Sequence, residues 1–126
     1  MSWYRKAFLM EPGRDDTWYL LHNNLGYCMN RLGRYAEGAE FCRKAIRIDP
    51  DRHNAHKNLG IAQEGLGQHV DAAASYITAA ENCRADPRAF LHLEVLIRSH
   101  PEIEKESPDL RIRIEACRGN AGAVWN

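Results

Sequence analysis

The chain has 126 residues, and its 17 Lys and Arg balance its 17 Asp and Glu, so the formal net charge is zero. This length predicts one domain that is large enough to bury a core. The even charge argues against a dedicated nucleic-acid binder, and a hydrophobic content of 44% argues against a disordered acidic tail. No apolar run approaches the roughly 18–20 residues of a membrane span, so we expect no membrane insertion.

The beginning of the chain and its cysteines predict a cytoplasmic protein. Arg5 and Lys6 interrupt the apolar start, and no small-residue cleavage site follows, so we expect no signal peptide. The cysteines are widely spaced without a Cys-x-x-Cys pair, which in such a compartment predicts small buried hydrophobic side chains. They are Cys28, Cys42, Cys83 and Cys117.

Helix formers dominate the composition, and Gly and Pro divide the chain into segments of about 12–15 residues, which predicts an all-α fold. In chain order, the first segment ends at Pro12 and predicts a single helix over residues 2–12. This helix has no preceding hairpin partner, so we interpret it as half of a repeat.

The next two segments, 19–52 and 53–86, repeat one another at an offset of 34 residues. The sequence HNNLG at 22–26 returns as HKNLG at 56–60. A period of this length, with a break inside each copy, predicts stacked helical hairpins that bury a continuous core between neighbours.

Glycines in both copies have predicted structural roles. Gly26 and Gly60 allow the two helices of one hairpin to pack closely. Gly33 and Gly67 lie between those helices, where a residue with positive φ is often needed.

The last part of the chain departs from the repeat. Residues 87–100 predict the first helix of a degenerate third repeat, and the acidic stretch before Pro108 predicts a solvated loop. Residues 108–118 predict a capping helix, although their Leu-x-Ile-x-Ile alternation would also suit a strand. Residues 119–126 predict a flexible tail.

No catalytic motif is present, so we expect no enzymatic activity and no cofactor. The histidines are the only candidate metal ligands that the spacing raises. His53 and His56 are three residues apart, and His22 and His56 share one repeat position. Because no cysteine or carboxylate completes a ligand set at standard spacing, we predict partly buried, hydrogen-bonded imidazoles and no metal site.

The 34-residue unit resembles the motif of the tetratricopeptide repeat (TPR) family over about residues 2–100. The family's Leu-Gly pair is present at 25–26 and 59–60, its turn glycine and following aromatic are Gly33 and Tyr35, and its closing proline is Pro50. The resemblance implies a right-handed α-solenoid of helix-turn-helix hairpins in a single domain over 1–126. The second repeat departs from the motif, with His69 in place of the aromatic and Arg84 in place of the proline.

The resemblance also implies a function, that of a protein–protein interaction module, either an adaptor or a scaffold. In this family the first helix of each repeat lines a concave groove, which holds a peptide or helix segment of a partner. The groove residues implied here are Leu20, Asn23, Tyr27, Asn30, Arg31, Asn54, Lys57, Asn58, Ile61, Glu64, Arg88, Leu91, Val95 and Arg98.

Two features of this residue set predict the chemistry of the partner. Tyr27, Ile61 and Val95 occupy one repeat position and form an apolar stripe. Four cations surround the stripe, against the single carboxylate of Glu64. We therefore expect a protein segment with apolar and acidic groups.

A specialised form of this groove, the carboxylate clamp for chaperone C termini, is incomplete in the sequence. The corresponding positions hold Asn23, Tyr27, Asn58, Arg88 and His92, of which only Asn58 matches the clamp outright. We therefore do not expect a chaperone tail as the partner.

The alternative hypothesis is a structural, self-associating unit. The first helix carries Trp3, Tyr4, Phe8 and Leu9 without a hairpin partner, so it could be exchanged between copies of the chain. On either hypothesis we expect a monomer or a weak homodimer.

Overall fold

The computed structural model describes residues 14–125, with side chains over 16–119. Within this range the chain forms seven helices and no strand, which confirms the all-α prediction. The half repeat predicted for 2–12 lies outside the described residues. The helices are α1 (Arg14–Arg31), α2 (Tyr35–Ile48), α3 (His53–Gly65), α4 (His69–Asn82), α5 (Arg88–Ser99), α6 (Glu102–Glu106) and α7 (Pro108–Trp125).

The helices pack in consecutive pairs, as a solenoid of hairpins requires. Helix α1 packs on α2 and α3 on α4, while α2 contacts α3 and α4 contacts α5 to join one hairpin to the next. Helix α1 also contacts α3, so the first helices of neighbouring hairpins lie side by side.

The turns inside the two hairpins have the same geometry. Gly33 and Gly67 both have φ of +78°, a conformation in which a Cβ would be strained. One backbone hydrogen bond, from Arg34 N–H to the carbonyl of Met29, closes the first turn at 2.8 Å, and its counterpart 34 residues later measures 2.9 Å. The predicted role of these glycines is confirmed.

Close approach of the paired helices depends on the other two glycines. A Cβ at Gly26 would lie 2.6 Å from Cys42 Sγ, and a Cβ at Gly60 would lie 2.6 Å from the ring of Tyr76. Both distances are shorter than van der Waals contact, so these positions require glycine for the observed packing.

The acidic stretch before Pro108 is a short helix, α6, and not the predicted loop. The reason is Ile103, which is 1% exposed and joins the hydrophobic core. The charged neighbours of Ile103 stay at the surface, while burial of this one side chain holds the segment against the domain.

The C-terminal segment forms helix α7, which packs on α4 and α6. Leu110, Ile114 and Cys117 are its buried residues, at helical spacing, so the alternating pattern does not form a strand. Helix α7 continues to Trp125, so the boundary predicted at 118 and the flexible tail predicted for 119–126 are wrong through 125. Gly119 has a helical backbone, because one glycine costs only about 1 kcal/mol relative to alanine.

The hydrophobic core is larger at the C-terminal end than at the N-terminal end. One cluster of thirteen buried residues joins α4, α5, α6 and α7. Two smaller clusters, of four and three buried residues, hold α1, α2 and α3 together. None of the described helices is both long enough and apolar enough to cross a membrane.

Candidate functional site

The first helices α1, α3 and α5 form one continuous surface, which we call the first-helix face. Asn58 Nδ2 on α3 donates a hydrogen bond of 2.9 Å to Asn23 Oδ1 on α1. On the other side, an Arg88 guanidinium nitrogen on α5 donates to Asn54 Oδ1 on α3 at 3.4 Å. All fourteen residues of the predicted groove belong to these three helices.

Three of the predicted groove residues are buried and serve the fold. Asn23, Asn30 and Asn58 are 7%, 8% and 4% exposed. In addition to the bond between Asn58 and Asn23, Asn30 Nδ2 donates to the backbone carbonyl of Asn58 at 2.9 Å. Their amides join α1 to α3, so we exclude these three side chains from the contact surface.

Four apolar side chains of the first-helix face are exposed. Leu20 and Tyr27 on α1 are 40% and 50% exposed, and Leu91 and Val95 on α5 are 56% and 57% exposed. Ile61 on α3, between them in the predicted stripe, is half-buried and packs on the C-terminal core. The exposed apolar surface therefore lies mainly at the two ends of the face.

The strongest ion pair of this face leaves Arg88 already partnered. The Arg88 guanidinium contacts Asp86 Oδ2 at 2.7 Å, and His53 Nε2 contacts the same oxygen at 3.0 Å. Hydrogen bonds from Arg88 hold the pKa of the Asp86 carboxyl well below its usual range. Asp86 therefore links the start of the second repeat to α5 and neutralises Arg88.

The other cations of the face are unpartnered. Within the described part of the chain, the charged groups of Arg31, Lys57 and Arg98 make no hydrogen bond or ion pair with a side chain. Burial lowers the pKa of Lys57, and the nearby Arg88 guanidinium lowers it further. Glu64, the carboxylate on this face, accepts a hydrogen bond of 2.8 Å from the Tyr76 hydroxyl.

A cleft of about 270 Å³ opens between the hairpins beside Lys57. The rings of Tyr76 and His92 form one wall, with centroids 5.3 Å apart and planes inclined by 10°. Another wall is the ring of Tyr35, which lies so close to Gly65 that a Cβ there would be 2.5 Å from the ring. The residues that line the cleft are Tyr35, Ile61, Glu64, Gly65, Tyr76 and His92.

His92 is the titratable base of the cleft, and the sequence analysis did not place it there. Partial burial lowers its pKa from the ordinary 6.5, and the positive charge of Lys57 lowers it further. The available signals were Tyr35 and Tyr76, which fill the repeat's positions for an aromatic and a large apolar residue. These positions are packing positions in the motif, so they did not indicate a cleft.

The histidines at equivalent repeat positions behave as predicted. His22 Nδ1 and His56 Nε2 each lie 2.8 Å from a backbone carbonyl, of Trp18 and of Pro50, and both rings are half-buried. No three His, Cys, Asp or Glu side chains among the described residues are grouped closely enough to hold a metal ion.

The cysteines are all free, but only two of them are buried. Burial raises the pKa of the Cys42 thiol to about 12, and it also raises the pKa of Cys117. Cys28 is exposed and Cys83 is half-buried, so the prediction of buried cysteines is wrong for Cys28. Its helix turns that side chain away from the core, which four-residue spacing alone did not reveal.

Comparison with known proteins finds similarity to segments of much longer proteins. The chain is 29% identical to Inactive TPR repeat-containing thioredoxin TTL3 of Arabidopsis thaliana over 107 residues, 83% of this chain and 15% of that protein. It is 30% identical to Cell division cycle protein 16 homolog of Homo sapiens over 64 residues, 51% of this chain and 10% of that protein. It is also 30% identical to Protein O-mannosyl-transferase Tmtc3 of Drosophila melanogaster over 59 residues, 47% of this chain and 6% of that protein.

The chain therefore spans between 6% and 15% of the length of these relatives. A scan against protein-family models finds no match. The relatives are informative about the repeats, one of them by its name, and the activity of each whole protein is its own.

Proposed function

Because the chain is a tetratricopeptide repeat protein, we propose that it is a non-enzymatic adaptor that binds a peptide or helix segment of a partner protein on the first-helix face. The observation that carries the proposal is the exposure of Tyr27, Leu91 and Val95 on this face. Large apolar side chains at the surface of a protein are typical of an interaction site when they lie together beside polar groups.

The charges of the face support a partner with acidic groups. Arg31, Lys57 and Arg98 are cations without a side-chain partner among the described residues, whereas Glu64 is engaged by Tyr76. Charge-assisted hydrogen bonds to carboxylates of the partner would satisfy them and would orient the bound segment.

The proposal assigns no catalysis to this face. The carboxylates of Asp86 and Glu64 are used in hydrogen bonds that hold the helices together, and the thiol of Cys42 is buried with a raised pKa. We place the adaptor in the cytoplasm, where free cysteines such as these remain reduced.

The test is selection of a displayed dodecapeptide library on the purified chain, on Val95→Asp and on Ile112→Asp. Val95 and Ile112 are 57% and 63% exposed, but Ile112 lies on α7, outside the first-helix face. Both substitutions are at the surface, where a change typically alters stability by less than about 0.5 kcal/mol. Ile61→Asp is a poorer probe, because Ile61 packs on the core.

We expect the wild type and Ile112→Asp to enrich the same peptides, and Val95→Asp to lose them. Circular dichroism melts establish that all three proteins are folded. Enrichment that Val95→Asp leaves unchanged, or no enrichment above an unrelated helical protein, would overturn the proposal.

A further inference from the structure

We infer that the cleft between Tyr35 and His92 is the specificity pocket of this face, and that it takes one aromatic side chain of the partner with a carboxylate beside it at Lys57. The inference rests on the proposed function and specifies the partner's chemistry. It is an inference about a single pocket, so it can fail while peptide binding on the face persists.

The size of the cleft favours a single side chain over a small molecule. Its volume is about 270 Å³. Pockets for small molecules and cofactors generally begin at about 300 Å³ and enclose most of the ligand. The cleft is smaller than these and lies on a face with exposed apolar neighbours, which is the situation of an anchor side chain within a longer bound segment.

The walls of the cleft favour an aromatic side chain. The rings of Tyr35, Tyr76 and His92 supply three of its six lining residues, and Gly65 leaves the floor without a side chain. Because Tyr76 and His92 are nearly parallel, they present neighbouring ring edges and faces on one side. An inserted ring would gain offset-stacked or edge-to-face contacts that an aliphatic side chain cannot make.

The charges around the cleft favour a carboxylate next to that ring. The Lys57 ammonium has no side-chain partner among the described residues, and its lowered pKa reflects its burial and the proximity of Arg88. Lys57 and Arg88 also both lower the pKa of His92, so all three lie within electrostatic reach of one another. Arg88 is neutralised by Asp86 and Glu64 is engaged by Tyr76, which leaves Lys57 as the group that a ligand carboxylate would pair.

The test uses fluorescein-labelled peptides with an amidated C terminus, so that a terminal carboxylate cannot contribute. The parent peptide has the core Ser-Glu-Phe-Glu-Ser, and its relatives replace Phe with Leu or Ala, or both Glu with Gln. Anisotropy titrations measure the Kd of each peptide with the wild type, with Lys57→Gln and with Lys105→Gln. Lys105 is an exposed lysine of α6 outside the cleft, so it controls for the loss of one positive charge.

We expect replacement of Phe by Leu to weaken binding about two- to tenfold, and replacement by Ala to weaken it further. We expect Lys57→Gln to weaken binding of the Glu peptide about two- to fivefold, and to leave the Gln peptide unchanged. Lys105→Gln should match the wild type with every peptide.

Equal affinity for the Phe and Leu peptides, equal loss with Lys57→Gln and Lys105→Gln, or no binding of the parent peptide would each overturn the inference. The library selection separates this result from failure of the proposed function. Enriched peptides that depend on Val95 but carry no aromatic residue beside Asp or Glu would overturn the pocket alone. Absence of any peptide that depends on Val95 would overturn both.

Discussion

Individual side chains hold the junction between the first and second repeats, and Tyr19 is the clearest example. It is fully buried, its hydroxyl accepts a hydrogen bond of 3.0 Å from Ala55 N–H, and it donates to the Arg52 carbonyl at 3.4 Å. Ala55 lies in the first turn of α3, where backbone N–H groups have no partner within the helix, and Arg52 supplies no side-chain cap. A tyrosine from the preceding repeat therefore takes the role of the cap.

We expect Tyr19→Phe to lower the free energy of unfolding by about 1–2 kcal/mol, because it leaves the buried N–H of Ala55 without an acceptor. Urea denaturation with an unchanged slope measures the effect. Tyr27→Phe is the control, since that tyrosine is 50% exposed. Equal stability of the two variants would contradict the capping role of Tyr19.

His92 predicts a specific pH dependence of stability. Its folded-state pKa lies below the ordinary 6.5, so the folded protein binds fewer protons than the unfolded chain, and stability falls as the pH drops through this value. The opposing charges are Lys57 and Arg88, with Glu64 acting in the other direction, and Tyr76 packs on the ring.

We expect His92→Phe, which keeps an aromatic ring on Tyr76, to lose less stability than the wild type between about pH 7.5 and about pH 5.5. Urea midpoints at both pH values give the comparison, and the other histidines are common to both proteins. The same loss of stability in the variant and the wild type would show that His92 does not titrate in this way.

At the scale of elements, the separation of paired helices depends on side-chain size at the contact. Helix α3 approaches α4 so closely at Gly60 that the ring of Tyr76 occupies the space of a Cβ. Ser75 Oγ also donates to Gln63 Oε1 at 2.6 Å in the same helix pair. The hairpin therefore combines a steric requirement with a buried hydrogen bond, and both depend on the same interhelical distance.

We expect Gly60→Ala and Gly119→Ala to have effects of opposite sign. At Gly60 the new methyl group overpacks the interface and costs about 1–3 kcal/mol. At Gly119, which is helical and has nothing within 4 Å of the Cβ position, alanine stabilises by up to about 1 kcal/mol through helix propensity. Thermal melts measure both, and stabilisation by Gly60→Ala would contradict the close approach of α3 and α4.

At the scale of the molecule, stability is unevenly distributed along the solenoid. The thirteen-residue cluster holds α4 to α7, whereas the cluster at Tyr19 contains three buried residues. In a repeat protein each unit is stabilised mainly by its neighbours, so local opening follows the local core.

We expect amide hydrogens of α4 and α5 to exchange more slowly with solvent than those of α1. Hydrogen exchange followed by mass spectrometry resolves these helices as separate peptides. Ile114→Ala, which removes a fully buried side chain of α7, should accelerate exchange in α4 and leave α1 unchanged. Equal protection of α1 and α4, or a uniform response to Ile114→Ala, would indicate one cooperative unit.

The sequence by itself was sufficient to predict the helical hairpins, their period and their turns. The reason is that these features depend on local rules: the periodicity of apolar residues, a glycine at positive φ, and small residues where helices touch. Gly33 and Gly67 could be assigned because their conformation excludes other residues. The predicted groove also lay on the correct helices, because the repeat fixes which helix is first in each hairpin.

Only the tertiary structure decided which of those groove residues are available to a partner. Asn23 and Asn58 are buried against one another although they lie 35 residues apart, and polar residues on a first helix give no local sign of such burial. Likewise, the cleft requires α2, α3, α4 and α5 to meet, and the position of α7 depends on the core that Ile103 and Ile114 complete. Burial is the sum of contacts from distant helices, so it is established only when the helices pack.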